Sequence, residues 1–179
     1  MLTVEQEHEI VRQVLNGDVN RFAVIVKEYQ NIVANLCYKL AGDKLDIEEV
    51  TQQVFVELYS ALPRFRYESR LSTYIYRITV NVASKEVKHN SKIVTYDATL
   101  ERNNADHQTS REEEVIKDEQ HRKLHQAIGR LKHEQRTAIV LYAFNDFSYN
   151  DIADVMQISL SKVESLIFRA KKNLKKMMT

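Results

Sequence analysis

Apolar residues recur at three- and four-residue steps along most of this chain, and wherever that spacing is sustained it predicts a helix with one buried face. Ile10, Val11, Val14 and Leu15 form the inner face of a short first helix, a lid on the core, opened by a Thr3/Gln6 capping box and closed by Gly17. After Asp18 comes a longer central helix, marked by Ile25, Tyr29, Ile32, Val33, Leu36 and Leu40, with Gly42 beyond its end. Val50, Val54, Leu58 and Leu62 mark a third helix from Asp46 to Leu62; Asp46 and Glu49 resemble a capping box, and Pro63 removes a donor and stops it. A fourth helix spans 72–89. The spacing lapses from Asn90 to about Thr109, then resumes over 111–132 with Leu124, Ile128 and Leu131, and again from Glu134 to Phe144. Ser148 and Asp151 cap a short helix carrying Ile152, Ala153 and Val155; a turn follows at 156–159, and a last helix starts at Leu160. Two short helices joined by such a turn make a helix-turn-helix.

Three Gly and one Pro among 179 residues leave little material for tight turns, so the expected fold is all-α. It divides into two small helical domains: a four-helix bundle at 1–92 and a helix-turn-helix unit at 113–179. The polar run Glu101-Arg-Asn-Asn-Ala-Asp-His-Gln-Thr-Ser offers no large side chain to bury, and 93–112 is expected to be a flexible acidic linker. Neither G-x-G-x-x-G nor a Walker-type glycine loop occurs, which argues against nucleotide-binding enzymes. Cys37 is the only cysteine, so no internal disulfide forms, and its apolar neighbours suit a small core residue. His121 and His125 share a helical face but have no further ligand at metal spacing; solvated histidines are expected rather than a zinc site. No Ser/His/Asp or Cys/His arrangement stands out, so no catalytic residue, cofactor or metal is expected, and the protein is expected not to be an enzyme. The absence of a long apolar run or a signal-peptide pattern predicts a cytoplasmic protein without membrane insertion.

The formal charge of +1 hides a strong asymmetry. Residues 1–95 are balanced, 96–121 carry five more acids than bases, and 122–179 carry six more bases than acids. Within the first part, Arg64 to Lys92 holds seven basic residues against Glu68 and Glu86. Aromatics interleave with them: Phe65, Arg66, Tyr67 and Arg70 in the loop after Pro63, then Tyr74, Tyr76, Arg77 and Asn81 on the next helix. Rings beside arginines suit unstacked bases, since every base offers a face to stack on while cations hold phosphates, and a short Asn can read a base edge. The same residues also fit a packed helical core with a solvated basic rim. In the last helix, Val163, Ile167, Ala170 and Leu174 form the inner stripe, opposite Ser161, Ser165, Phe168, Arg169 and Lys172. An inner stripe that locks the helix down, with polar N-terminal residues outside and basic ones after them, is what reading a major groove requires.

Two segments resemble the extracytoplasmic-function sigma factors, the small specificity subunits of bacterial RNA polymerase. Glu49-Val-Thr-Gln-Gln-Val-Phe55, Arg64-Phe-Arg66 and Ser69-Arg-Leu-Ser-Thr-Tyr-Ile-Tyr-Arg-Ile-Thr-Val-Asn81 are similar to that family's region two. Leu131-Lys-His-Glu-Gln-Arg136, Ser148-Tyr-Asn-Asp-Ile-Ala153 and Lys162-Val-Glu-Ser-Leu-Ile-Phe-Arg-Ala170 are similar to region four. Departures are Glu49 for Asp, Gln53 for an acid, Tyr74 for Trp, and Glu164 and Leu166 where basic residues are common.

The resemblance implies that Glu49, Gln52, Gln53 and Phe55 dock on the polymerase core. It implies that Phe65, Arg66, Ser69, Tyr74, Arg77 and Asn81 capture an unpaired base of the minus-10 promoter element. Ser161, Lys162, Glu164, Ser165, Phe168, Arg169 and Lys172 would contact the minus-35 duplex, where Glu164 either accepts from a cytosine amino group or points to solvent. RNA polymerase core and promoter DNA are the implied partners, and an anti-sigma factor is common in the family. In the family the linker is threaded through polymerase channels; here a plain tether is the simpler expectation. Two rival functions remain at this point: a stand-alone helix-turn-helix regulator, and a protein-interaction module whose basic patches bind acidic partners.

Overall fold

A computed structural model describes residues 2–41, 45–94, 112–145 and 147–178. Among the described residues the regular structure is helical throughout: α1 (Val4–Leu15), α2 (Phe22–Ala41), α3 (Ile47–Ala61), α4 (Leu71–Val94), α5 (Glu112–Gly129), α6 (His133–Phe144), α7 (Tyr149–Met156) and α8 (Leu160–Met178). Short 3-10 turns at Val19–Arg21 and Leu62–Arg64 lead into α2 and out of α3.

The ends form where the local chemistry places them. Thr3 and Gln6 make a reciprocal capping box at α1, as Ser148 and Asp151 do at α7. Asp46 accepts the Glu49 N–H at 3.1 Å. Gly17, at φ +103°, takes the left-handed conformation just past α1 that a side chain would resist. Gln157 ends α7 at φ +53° and turns the chain into α8. Pro63 sits in the first turn of a 3-10 segment, so the chain tightens there and leaves the helix axis at Phe65. Gly42 lies outside the described residues.

α2 is the central element. Its inner face (Ile25, Tyr29, Val33, Leu36, Cys37 and Leu40) is buried against α1, α3 and α4. Removing each such aliphatic side chain from water stabilises the fold by about 2 kcal/mol. The Cys37 thiol is fully enclosed, and burial raises its pKa to about 12, as suits a core residue. In the C-terminal half, α8 lies across α5, α6 and α7 on Val163, Leu166, Ile167 and Ala170, all buried.

The two predicted domains meet in one apolar core, with α4 against α7 and α2 against α6. Arg136, 7% exposed, lies in the seam. Its Nη1 donates to the Leu40 carbonyl at the end of α2 at 2.7 Å, and its Nε to Ile128 O at 3.2 Å. Its Nη2 reaches Gly129 O and Leu131 O. One guanidinium thus satisfies carbonyls left open at two helix C-termini. Nearby, the Asn145 amide donates to the Tyr76 hydroxyl at 2.9 Å, and Ser84 Oγ lies 2.7 Å from His133 Nε2. α4 continues to Val94, past the expected boundary at 92, and the interior of the expected linker lies outside the described residues.

Candidate nucleic-acid and protein-docking surfaces

The third helix presents Glu49, Gln52 and Gln53 to solvent, and Gln52 among them borders a groove of about 410 Å³ between α2 and α3. Val26 and Gln30 line it from α2, and Ile47, Thr51 and Gln52 from α3. Thr51 Oγ1 is enclosed and has no hydrogen-bond partner among the described residues. Phe55, grouped with the polar three from sequence, is only 7% exposed. It packs edge-on to Phe22, with ring centroids 6.5 Å apart, so it forms the groove's wall rather than a projecting contact. Val56 and Tyr59, on the outer side of the same helix, are the exposed apolar residues there.

The loop after Pro63 and the first three turns of α4 gather the second group. Tyr74, Arg77 and Asn81 recur at three- and four-residue steps and share a face; Asn81 is exposed, and Tyr74 and Arg77 are half-buried. The Tyr74 hydroxyl donates to Ala61 O at 3.2 Å, tying α4 to the end of α3. Arg77 Nε is enclosed without a hydrogen-bond partner among the described residues. Arg66 is exposed and Ser69 half-buried.

Phe65 departs from its expected place. At 6% exposure it is the floor of an aromatic cluster, not an accessible ring, with Tyr67 at 5.0 Å and Tyr74 at 5.2 Å between ring centroids. Pro63 turns the chain inward there, and Phe65 fills the space under its neighbours. Tyr67 stands in its stead at the surface, half-buried and at φ +60°, a region that residues with a Cβ seldom occupy. Tyr76 also faces inward: it packs on Phe147 at 4.7 Å between centroids, and burial raises its pKa.

Sequence reasoning missed what holds this loop. Glu7 is 4% exposed; it accepts the Tyr29 hydroxyl and, at 3.0 Å, the Leu71 N–H. Burial raises the Tyr29 pKa first, with the bond to Glu7 adding to it. The signal was available: Glu7 precedes Ile10, Val11 and Val14 at helical spacing and so falls on the apolar face of α1.

All seven residues of the third group, Ser161, Lys162, Glu164, Ser165, Phe168, Arg169 and Lys172, are exposed on α8. Ser159 caps the helix through the Lys162 N–H at 3.4 Å, so α8 starts squarely after the turn. Phe168 is 69% exposed, an unusual place for a ring that no neighbour covers. The Lys162 ammonium pairs with Glu134 at 2.7 Å across an exposed gap, leaving Arg169 and Lys172 as the outward cations of the central face. Leu166, at 6% exposure, widens the inner stripe.

Among the described residues no cluster of three or more His, Cys, Asp or Glu side chains could hold a metal ion. His125 stacks on Tyr38 with ring centroids 4.5 Å apart, while the His121 side chain lies outside the described residues. No described helix is long and apolar enough to cross a membrane.

Comparison with known proteins brings these surfaces together. The pattern described as Sigma-70 region 2 matches residues 25–93, and that described as Sigma-70, region 4 matches residues 121–174. The chain is similar to the RNA polymerase sigma-H factor of Pseudomonas aeruginosa, 34% identical over 98% of this chain and 95% of that one. It is also similar to the ECF RNA polymerase sigma-E factor of Haemophilus influenzae, 32% identical over 92% and 91%. Among solved structures, the sigma factor RpoE of Bartonella quintana, in complex with the anti-sigma factor NepR, has the same fold, with a TM-score of 0.67 at 20% identity, covering 88% of this chain and 96% of that one.

Proposed function

This chain belongs to the extracytoplasmic-function sigma factors of RNA polymerase, which direct the enzyme to specific promoters, and on that premise we propose how its surfaces divide the work. Glu49, Gln52 and Gln53, with the groove walled by Phe55, dock on the polymerase core. Tyr67, Tyr74, Arg77 and Asn81, with Arg66 and Ser69 beside them and Phe65 beneath, take up an unpaired base of the minus-10 element. The outward face of α8 reads the minus-35 duplex. The observation that carries this division is the difference in shape between two cation-bearing surfaces on one chain. One is a loop-and-helix surface of clustered rings; the other is a single exposed helix face, its rod anchored by a buried stripe.

Extracting a base from duplex costs a few kcal/mol, and stacking on an aromatic returns about 1–3 kcal/mol per base, so rings with one hydrogen-bonding Asn are on the right scale. On α8, Ser165 and Arg169 are placed for base edges and phosphates, and Phe168 for the methyl group of a thymine. Each surface can bind weakly alone, because attachment to one polymerase raises the effective concentration of the second contact. Sigma factors are not enzymes in themselves; the chemistry belongs to the polymerase, and the setting is the bacterial cytoplasm.

Run-off transcription with purified core RNA polymerase on a randomised promoter library tests the function. The expected result is initiation from a restricted set of sequences only when this chain is added. A stand-alone regulator would bind duplex without conferring initiation, and an interaction module would do neither.

A further inference from the structure

The match to Sigma-70 region 2 begins at residue 25, so α1 lies outside it, yet α1 forms the underside of the loop 65–70. Oε2 of Glu7 accepts the Leu71 N–H at 3.0 Å from 64 positions away in the chain, while Oε1 takes the Tyr29 hydroxyl. Leu71 is the first residue of α4, where backbone N–H groups lack intrahelical partners and the helix dipole favours negative charge. The carboxylate is therefore a cap supplied by a distant helix. The next residue, His8, meets Phe65 and Tyr67 edge-on at 5.8 and 5.0 Å between centroids, and the Arg12 guanidinium lies 5.9 Å from the Tyr67 ring centre. Tyr67 at φ +60° is held by these contacts against its own conformational preference.

We propose that Glu7 is a positioning residue for base capture: bound at the Leu71 N–H and the Tyr29 hydroxyl, it fixes the loop 65–70 against α4 so that Tyr67, Tyr74 and Asn81 form one preformed surface. The role rests on the assignment of that surface to unpaired DNA. Glu7 itself touches no base, being buried on the inner side of α1. Without its carboxylate, a buried N–H and a buried hydroxyl lose their partner, and the loop gains freedom that base binding must then remove.

The test uses reconstituted holoenzyme and a single-stranded oligonucleotide carrying the minus-10 strand of a promoter that wild-type holoenzyme selects from a randomised duplex library. Glu7→Ala is expected to weaken oligonucleotide binding about tenfold, while affinity for core polymerase and for the minus-35 duplex stays within about twofold. Glu7→Gln keeps an acceptor of the same shape and is expected to stay within about threefold of wild type. Tyr29→Phe removes one of the two bonds and is expected to cost about threefold, which decides the matter even where Glu7→Ala folds poorly. Wild-type oligonucleotide affinity in Glu7→Ala or Tyr29→Phe overturns the proposal. So do equal losses toward oligonucleotide, core and duplex, or a Glu7→Gln as weak as Glu7→Ala. A wild-type holoenzyme that selects no promoter would overturn the sigma-factor function and this role with it.

Discussion

On α8, Ser161, Ser165 and Arg169 stand outward because Val163, Ile167 and Ala170 hold the opposite side of the same helix in the core. The loop 65–70 has no such internal guide. Its shape comes from partners elsewhere. His8 on α1 meets Phe65 and Tyr67, and Glu7, itself bonded to Tyr29 on α2, holds the Leu71 N–H where the loop enters α4. Tyr74, packed on Phe65, is tied to the Ala61 carbonyl at the end of α3. The α8 surface is therefore carried by a repeating local pattern, and damage to it enters through the stripe. The loop surface is a tertiary assembly, and damage enters through polar contacts between helices. Rings in the loop are also shielded by one another, whereas Phe168 on α8 is bare.

The sharpest break of the first kind is Ile167→Asp. Ile167 is 1% exposed, and an unpaired carboxylate there has no partner and no water. A loss above about 4 kcal/mol is expected, enough to unfold the C-terminal half. Minus-35 duplex binding should vanish, while the isolated far-UV helical signal of the N-terminal bundle persists; circular dichroism and a duplex gel shift check both. Retained duplex binding would mean that α8 does not depend on its stripe.

Next in size is Arg136→Leu, which attacks the seam joining the two kinds of surface. Four carbonyls lose a charge-assisted donor, among them Leu40 O at the end of α2. A destabilisation of about 3 kcal/mol is expected in denaturant unfolding, with a less cooperative transition as the halves uncouple. An unchanged single transition would show that the apolar contacts alone unite them.

Smaller still are changes at the surfaces themselves. Asn81 and Arg169 are both exposed, so neither substitution should disturb the fold. Asn81→Ala is expected to lower open-complex formation about tenfold and leave duplex binding nearly intact; Arg169→Ala should do the reverse, weakening duplex binding about tenfold. Potassium permanganate footprinting and duplex titration separate the two, and equal effects of both substitutions on both assays would break the division.

What the chain reveals before folding follows the same contrast. Helix spacing and caps are local, so eight helices and the exposed face of α8 could be read from residues a turn apart, and Ser148, Asp151 and Leu160 set the helix-turn-helix within a residue. Phe65 and Tyr76 could not be placed, because a ring next to arginines has the same local sequence whether it faces bases or fills a core. Arg136 was visible as part of a family pattern, but its four carbonyl partners come from two stretches far apart in the chain, Leu40 and 128–131. Glu7 could have been noticed as an acid on an apolar stripe, though nothing nearby in sequence names Leu71 as its partner.

The seam also offers the gentlest probe. His133 is held below its ordinary pKa of 6.5, chiefly because burial penalises the charged ring, with the cations Arg136 and Lys88 adding to the effect and Glu134 opposing it. Above that value the ring is neutral whether the chain is folded or not, so it contributes no pH dependence. As pH falls below 6.5, unfolded chains take up a proton that the folded ring resists, and stability declines with a slope no steeper than one proton allows. Protonated, His133 would place a second positive charge facing Arg136, while its contact with Ser84 Oγ, 2.7 Å from Nε2, would persist because the Ser84 hydroxyl gives its proton to the Val80 carbonyl. The melting temperature is expected to drop between pH 7.5 and 5.5, and His133→Gln, which keeps a polar partner for Ser84 but cannot titrate, should flatten part of that drop. Parallel melting curves for wild type and His133→Gln across this range would place the pH sensitivity elsewhere, and would leave the seam defined by Arg136 and the apolar residues around it.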